Sequence, residues 1–151
     1  MGRLSIRSLE FGDLDDLLAL YAHLHRKDDP LPDCEGIQVV WQAILANPSH
    51  RIFGIFVSEA LVASCALTIV PNLTRGCRPY GVIENVVTHA GHRRKGYGKA
   101  ILAHALSHAW NAGCYKVMLL TGKKDEATAR FYEGAGFDGN EKRGFVAKAP
   151  G

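Results

Sequence analysis

The residues with the clearest capacity for chemistry form a basic, glycine-containing segment in the middle of the chain. It holds four cations, two histidines and a pair of glycines: His89, His92, Arg93, Arg94, Lys95, Gly96, Gly98 and Lys99. A strand is predicted before it and a helix after it, so free amide hydrogens and the positive end of a helix dipole would meet there. Glycine also lets the backbone approach an anion closely. The segment is therefore predicted to bind a phosphate-bearing ligand.

Two familiar nucleotide motifs do not fit this segment. Gly91 and Gly96 have the spacing of a P-loop. Tyr97 and Gly98 then replace the lysine and the hydroxyl residue that hold phosphate and magnesium. The glycine pair also starts a dinucleotide fingerprint, yet Ile101 stands where a third small residue is required, and little chain follows for the further strands. A solvated basic turn is the plain alternative.

The remaining pattern, Arg93-x-x-Gly96-x-Gly98, resembles the signature of the GCN5-related N-acetyltransferase (GNAT) family: Arg or Gln, two residues, Gly, one residue, Gly or Ala. The segment before it, 81–88, looks like the central strand of that family. The resemblance extends downstream.

A second segment, 125–137, resembles the family's Asn-x-x-Ala-x-x-Phe-Tyr-x-x-x-Gly-Phe pattern. Phe131-Tyr132 and Gly136-Phe137 match it. Asp125 replaces the usual Asn and Thr128 the usual Ala, which puts the hydrogen bond of that Asn in doubt.

The resemblance implies an α+β fold of three layers in a single domain over residues 1–151. Its central sheet would be mixed, mostly antiparallel and of about six to seven strands, flanked by about four helices. The implied co-substrate is acetyl-CoA, without a metal. The implied cofactor-binding residues are Val86, Val87, Thr88, Arg93, Arg94, Lys95, Gly96, Tyr97, Gly98, Lys99 and Asp125.

Roles within that set also follow from the resemblance. Loop amides would face the pyrophosphate, with Arg93 and Lys95 adding charge. Val86 to Thr88 would pair with the pantetheine arm, and the Val86 amide would polarise the thioester carbonyl.

Two side chains are candidates for proton transfer, because direct attack by an amine needs an acceptor for its proton and a donor for the leaving thiolate. Glu84, on the central strand, is the candidate base through water; a surface ion pair is the alternative. Tyr132 is the candidate general acid, and packing beside Phe131 is its alternative.

Other polar groups carry weaker signals. His104 and His108 have helical spacing, but no third metal ligand is evident, so they are expected on the solvent face of their helix. His89 borders the loop and is a secondary candidate base. Four carboxylates, Asp28, Asp29, Asp33 and Glu35, form an acidic stretch that would favour a cationic amine or would simply be solvated.

Hydrophobic periodicity gives the elements that position these residues. Strands are predicted over Leu4–Leu9, Arg51–Ser58, Ala60–Val70, Tyr80–Thr88 and Tyr115–Leu120, the last buried on both faces, and in a final hairpin ending near Lys148. Helices are predicted from Asp13 to about Leu24, over about Ile37–Ala46, after the basic loop up to Gly113, and from Asp125 to about Glu133.

Bulk properties exclude several classes of protein. A chain of 151 residues with formal charge +3 suits one domain and does not favour nucleic-acid binding. The four separated cysteines show no zinc or redox spacing and fit a reducing cytoplasm. No stretch reaches the length of a membrane span or of a signal peptide core, so a cytoplasmic protein is expected.

The sequence does not identify the acceptor. A primary amine of a small molecule is the leading expectation, and a protein lysine or N-terminus is the enzymatic alternative. A CoA-sensing module without catalysis is a third reading, against which the presence of both Glu84 and Tyr132 argues. A homodimer is expected from the resemblance alone.

Overall fold

Within the described residues, five strands form one sheet in the order β1-β2-β3-β4-β5. The computed structural model describes residues 2–25 and 27–151. Neighbouring strands are antiparallel from β1 to β4, while β4 and β5 are parallel. The strands span Leu4–Ser8 (β1), His50–Val57 (β2), Ala60–Val70 (β3), Tyr80–Thr88 (β4) and Val117–Leu119 (β5). The predicted mixed, mostly antiparallel sheet is confirmed, but the expected six to seven strands are too many.

The difference in strand number comes from the end of the chain. Residues 138–151 form no strand, so the predicted final hairpin is wrong. This tail carries charges and glycines, and its two large apolar side chains, Phe145 and Val146, are 85% and 71% exposed. A hairpin with no apolar face to bury is at best marginally stable in water.

Strands β2 and β3 form the hairpin that the sequence predicts. Its two central residues, Ser58 and Glu59, have φ of 48° and 70°. Positive φ at both positions is the geometry of a type I′ turn, whose twist matches that of the flanking strands.

The helices are α1 (Leu14–Tyr21), α2 (Cys34–Ala46), the short turn α3 (Thr74–Cys77), α4 (Tyr97–Asn111) and α5 (Glu126–Gly134). Helix α1 starts where predicted, but Asp13 does not cap it through its side chain. The Asp13 carboxylate instead accepts from Arg7 at 2.7 and 3.1 Å and from the Glu10 amide at 2.7 Å. Helix α2 starts earlier than predicted, because Asp33 caps it by accepting from the Gly36 amide.

The sheet is covered on both faces, which confirms the three layers. Side chains of α1 and α2 pack with one set of strand residues, among them Ile52, Ala66 and Val87. Helix α4 packs against β2, β3 and β4. Phe53, which alternates with Ile52, meets the rings of His104 and His108 at 4.8 and 5.3 Å.

These contacts overturn the expected solvent position of the two α4 histidines. Both are half-buried against Phe53, and burial is the main reason that the pKa of His108 is lowered. The buried face of α4 was predicted from apolar residues alone. The imidazoles of His104 and His108 lie at the border of that face and extend it.

The chain divides into two compact units, Met1–Leu119 and Leu120–Gly151. The first holds the sheet with α1 to α4, and the second holds α5 and the tail. Strand β5 is shorter than predicted and only half-buried, because it lies at the edge of the sheet with β4 as its one neighbour. No helix within residues 2–25 or 27–151 is long and apolar enough to cross a bilayer.

Candidate active site

Strand β4 has an open edge in its second half. Strand β5 pairs with it only from Gly81 to Ile83, and β5 ends at Leu119. From Glu84 to Thr88, the described residues of the Met1–Leu119 unit give that edge no strand partner. An open strand edge presents unpaired N–H and C=O groups, which an extended, amide-containing ligand can bind.

A β-bulge lies at the start of this open edge. Ala66 of β3 pairs with Glu84, whereas Ser64, two residues earlier, pairs with Val87, three residues later. The extra residue on β4 accompanies a left-handed Asn85, with φ of 55°. Bulges of this kind redirect the strand near active sites.

The bulge is contacted by the last residue of α1. Tyr21 packs against the core cluster that includes Val87, and the Asn85 side chain interacts with its hydroxyl. Burial raises the pKa of Tyr21 to about 12, and the Asn85 contact opposes this rise. The hydroxyl is therefore protonated at neutral pH.

The direction of the backbone groups after the bulge follows from one hydrogen bond. The His89 amide donates to Val62 O of β3 at 2.8 Å. Because backbone groups alternate along an extended strand, the N–H groups of Val86 and Thr88 point to the opposite, open edge. The Val86 and Thr88 amides, which are predicted to contact acetyl-CoA, thus point to the edge of β4 that has no strand partner in this unit.

Residues 89–99, named here the donor loop, end at a helix N-terminus that no side chain caps. Gly96 is the N-cap, with φ of 83°, and Arg94 is also left-handed, with φ of 61°. The first backbone bond of α4 runs from the Ala100 amide to Gly96 O at 3.0 Å. The amides of Tyr97, Gly98 and Lys99 precede that bond and point out of the helix end, where the dipole favours an anion.

The loop cations differ in what they contact. All four, Arg93, Arg94, Lys95 and Lys99, are exposed. The Arg93 side chain also donates to two backbone carbonyls, Thr88 O through Nε and His23 O through Nη2, both at 3.3 Å. In the described part of the chain, the two salt bridges join Arg7 to Asp13 and Arg130 to Glu126, so no loop cation is paired with a carboxylate.

Histidines gather at the start of the donor loop. The ring centroids of His23 and His89 are 4.0 Å apart, and those of His89 and His92 are 5.4 Å apart. The Nδ1 atoms of His23 and His89 accept from the amides of Ala90 and Gly91. Among the described residues, no group of three or more His, Cys, Asp or Glu is arranged to hold a metal ion.

The two candidate proton-transfer residues lie in different units. Glu84 is exposed on β4, at the start of the open edge and beside the bulge. Tyr132 lies on α5 in the second unit and is half-buried, with its ring centroid 4.9 Å from Phe131 and 6.2 Å from Phe137. The role of each remains a prediction.

Asp125 caps α5, as the sequence predicts. Its carboxylate accepts from the Thr128 amide at 2.7 Å. The hydrogen bonds with Thr128 hold the pKa of Asp125 below its usual range. The acidic stretch is similarly engaged in part, because Asp33 caps α2 and Asp28 accepts from the Asp29 amide at 2.8 Å.

The sequence analysis missed three residues of this site: Tyr21, His23 and Asn85. Asn85 interrupts a run of β-branched residues, and Asn tolerates positive φ, so a bulge signal was present. Tyr21 and His23 gave no signal of their own, because their partners lie far away in sequence.

Comparison with known proteins agrees with this geometry. A family model described as "Acetyltransferase (GNAT) family" matches residues 14–137. A glucosamine 6-phosphate N-acetyltransferase of Trypanosoma brucei brucei is 32% identical, covering 93% of this chain and 92% of that protein.

Solved structures give the same result. A protein of Agrobacterium tumefaciens str. C58, described as an acetyltransferase, is 46% identical with a TM-score of 0.90, covering 96% of this chain and 99% of that one. A glucosamine-6-phosphate N-acetyltransferase of Arabidopsis thaliana is 26% identical with a TM-score of 0.82, covering 97% and 98%.

Proposed function

Because this chain belongs to the GNAT family of acetyltransferases, we propose that it moves an acetyl group from acetyl-CoA directly to a primary amine of a small molecule. The main observation in support of acetyl-CoA as the acetyl donor is the N-terminus of α4. Its N-cap, Gly96, is left-handed and provides no side-chain cap. The three free amides of that helix end, in a loop with four exposed cations, suit a pyrophosphate.

The donor residues are proposed in two groups. Amides and charges of the donor loop hold the pyrophosphate, and the open edge of β4 pairs with the amide groups of the pantetheine arm. The full set is Val86, Val87, Thr88, Arg93, Arg94, Lys95, Gly96, Tyr97, Gly98, Lys99 and, in the family's Asn position, Asp125. The donor loop can be exposed and still bind the pyrophosphate, because the charged phosphates can remain in contact with water.

The chemistry needs no covalent enzyme intermediate. The thioester of the co-substrate supplies the acetyl group when bound. Glu84 takes a proton from the attacking amine through a water molecule, and Tyr132 gives a proton to the sulfur as the carbon–sulfur bond breaks. The Val86 amide donates to the carbonyl oxygen on which negative charge develops.

The proposed acceptor class is a phosphorylated amino sugar or a related small amine. Support comes from the Trypanosoma and Arabidopsis relatives, whose names give glucosamine 6-phosphate as the acceptor.

The test is a free-thiol assay with acetyl-CoA and a matched series of amines. Glucosamine 6-phosphate, glucosamine, an aminoglycoside and a lysine peptide separate the acceptor classes. We expect thiol release with the phosphorylated sugar. Absence of both CoA binding and thiol release contradicts the proposal, while CoA binding without release from any amine favours the sensing reading.

The predicted base is tested in the same assay. Glu84→Gln should lower the rate and alter its dependence on pH, with CoA affinity unchanged. An unaltered rate and pH profile would remove Glu84 from the mechanism.

Location and assembly belong to the same proposal. The described cysteines are all free thiols, which suits a reducing compartment such as the cytoplasm. We expect a homodimer, and size-exclusion chromatography with light scattering measures it directly.

A further inference from the structure

A single residue beyond the end of α1 contacts the donor loop at several points. The Ala90 amide donates to His23 Nδ1 at 3.3 Å, and the His23 and His89 rings lie 4.0 Å apart. The His23 carbonyl accepts from Arg93 Nη2 at 3.3 Å. His23 itself is held by its own amide, which donates to Leu20 O at 2.9 Å. Both the side chain and the backbone of His23 therefore join α1 to the loop.

The Arg93 side chain completes this connection. Its Nε donates to Thr88 O, the last residue of β4, while its Nη2 donates to His23 O. A planar guanidinium can hold two carbonyls at once, which the single ammonium of lysine does less well. These contacts direct the Arg93 guanidinium to the protein backbone, although Arg93 is exposed like Arg94, Lys95 and Lys99.

The chemistry of His23 suits a permanent acceptor. Its Nδ1 accepts from the Ala90 amide, so the proton of the neutral ring lies on Nε2. Partial burial, followed by the nearby His89 and Arg93, lowers the pKa of His23. The ring thus stays neutral and keeps its acceptor at neutral pH.

We infer that His23 and Arg93 are positioning residues that hold the donor loop in its binding shape by joining it to α1 and β4. This inference rests on the proposed function, since it assigns these residues to the CoA site. It changes the part given to Arg93: the side chain acts through two carbonyls, and not as a charge on phosphate. A loop that is already shaped loses less entropy when a ligand binds, so affinity rises without a direct contact.

His23 is tested by its CoA dissociation constant, measured by calorimetry. His23→Ala should weaken CoA binding by about three- to tenfold, the usual loss for one or two hydrogen bonds. His23→Asn should recover much of the affinity, because its side-chain oxygen can accept from the Ala90 amide. His25→Ala, which removes an exposed imidazole two residues later, is the control and should bind as wild type. Wild-type affinity in His23→Ala overturns the inference.

Arg93 is tested by keeping its charge while removing its planar shape. Arg93→Lys should weaken CoA binding by about three- to tenfold, and the dependence of affinity on salt should stay that of wild type. Lys95→Gln is the matched comparison, and it should reduce the salt dependence, because an exposed charge is lost. Wild-type CoA affinity in Arg93→Lys overturns the inference. If His23→Ala does not fold, the Arg93→Lys measurement alone tests the inference.

A measurement without ligand separates this inference from the proposed function. Amide hydrogen exchange at Ala90 should be faster in His23→Ala than in wild type, with other loop amides as references. If Ala90 exchanges faster in His23→Ala and the wild-type protein binds no CoA, the connection is supported and the CoA proposal is contradicted. Unchanged exchange at Ala90 overturns the connection even in an active enzyme.

Discussion

Two helices of this chain begin in opposite ways. Gly96 is the N-cap of α4, and no described side chain accepts from the first amides of that helix. Asp125 is the N-cap of α5, and its carboxylate accepts from the Thr128 amide at 2.7 Å. Every helix start has amides without a partner in the helix, and side chains, water or a ligand can satisfy them. The difference is that Asp125 accepts from one of the first amides of α5, whereas no described side chain accepts from the first amides of α4, which are proposed to bind an anion.

The two helices are accordingly expected to act through different atoms. Helix α4 offers backbone amides, which substitution of a side chain does not remove. Helix α5 offers Tyr132, whose hydroxyl can be removed alone. The predictions below test this division, beginning with the largest expected effect.

Giving α4 a cap like that of α5 should abolish donor binding. Gly96→Asp should raise the CoA dissociation constant by about a thousandfold, because it would add a carboxylate where the negatively charged pyrophosphate is proposed to bind. A Cβ at Gly96 meets no atom within 4 Å, so crowding does not explain the effect. Gly96→Ala, with the same strain at positive φ but no charge, is the control in calorimetry. Equal losses in both variants would assign the effect to strain.

Removing the Tyr132 hydroxyl should affect the rate and leave donor binding intact. Tyr132→Phe should lower kcat by about a hundredfold, the lower range for loss of general acid catalysis. CoA affinity should remain that of wild type. Tyr115→Phe is the control, since its ring lies beside Lys116, at the end of the sheet away from the donor loop. A normal kcat in Tyr132→Phe would exclude the acid role.

Removing the N-cap of α5 should reduce the stability of the protein and have only a small effect on CoA binding by the donor loop. Asp125→Ala should lower the Tm by a few degrees, since a lost N-cap destabilises a helix. Asp125→Asn should keep most of the Tm, because its oxygen can still accept from the Thr128 amide. If both variants also bind CoA more weakly, position 125 contacts the donor as well as capping α5.

The smallest effect is the pH dependence of the same cap. The Thr128 hydrogen bonds lower the pKa of Asp125 in the folded protein. The cap's contribution is therefore complete above the unfolded pKa of about 4 and is lost as pH falls through the folded value. Thermal unfolding across acid pH should show a steeper loss in wild type than in Asp125→Asn. Parallel curves would show that the cap does not titrate.

Local patterns in the sequence predicted much of the architecture around the donor loop. Strand β4 spans Tyr80–Thr88 as expected, and Gly113 follows α4 with φ of 87°. Glycine spacing, caps and β-branched runs act within a few residues, so they can be read without knowing the fold. Asp125 as the cap of α5 is a further example.

The features that the sequence did not predict depend on distant partners. His104 and His108 were expected in solvent, but Phe53, about fifty residues earlier, covers them. Asp13 is an exception, because the Arg7 side chain that engages its carboxylate lies only six residues earlier. The connection through His23 joins residues 67 to 70 positions apart. No periodicity in one segment contains that information.

The open edge of β4 has a consequence for handling the protein. Bare backbone groups in mid-sheet are the surface on which a foreign strand can add, and this is how many proteins begin to aggregate. The N–H groups of Val86 and Thr88 face that edge in the described part of the Met1–Leu119 unit, and they lie in the short β-branched run Val86-Val87-Thr88. A ligand lying along that edge would occupy the same groups. Storage with CoA is thus expected to lengthen the shelf life of the purified protein, beyond any gain in its unfolding temperature.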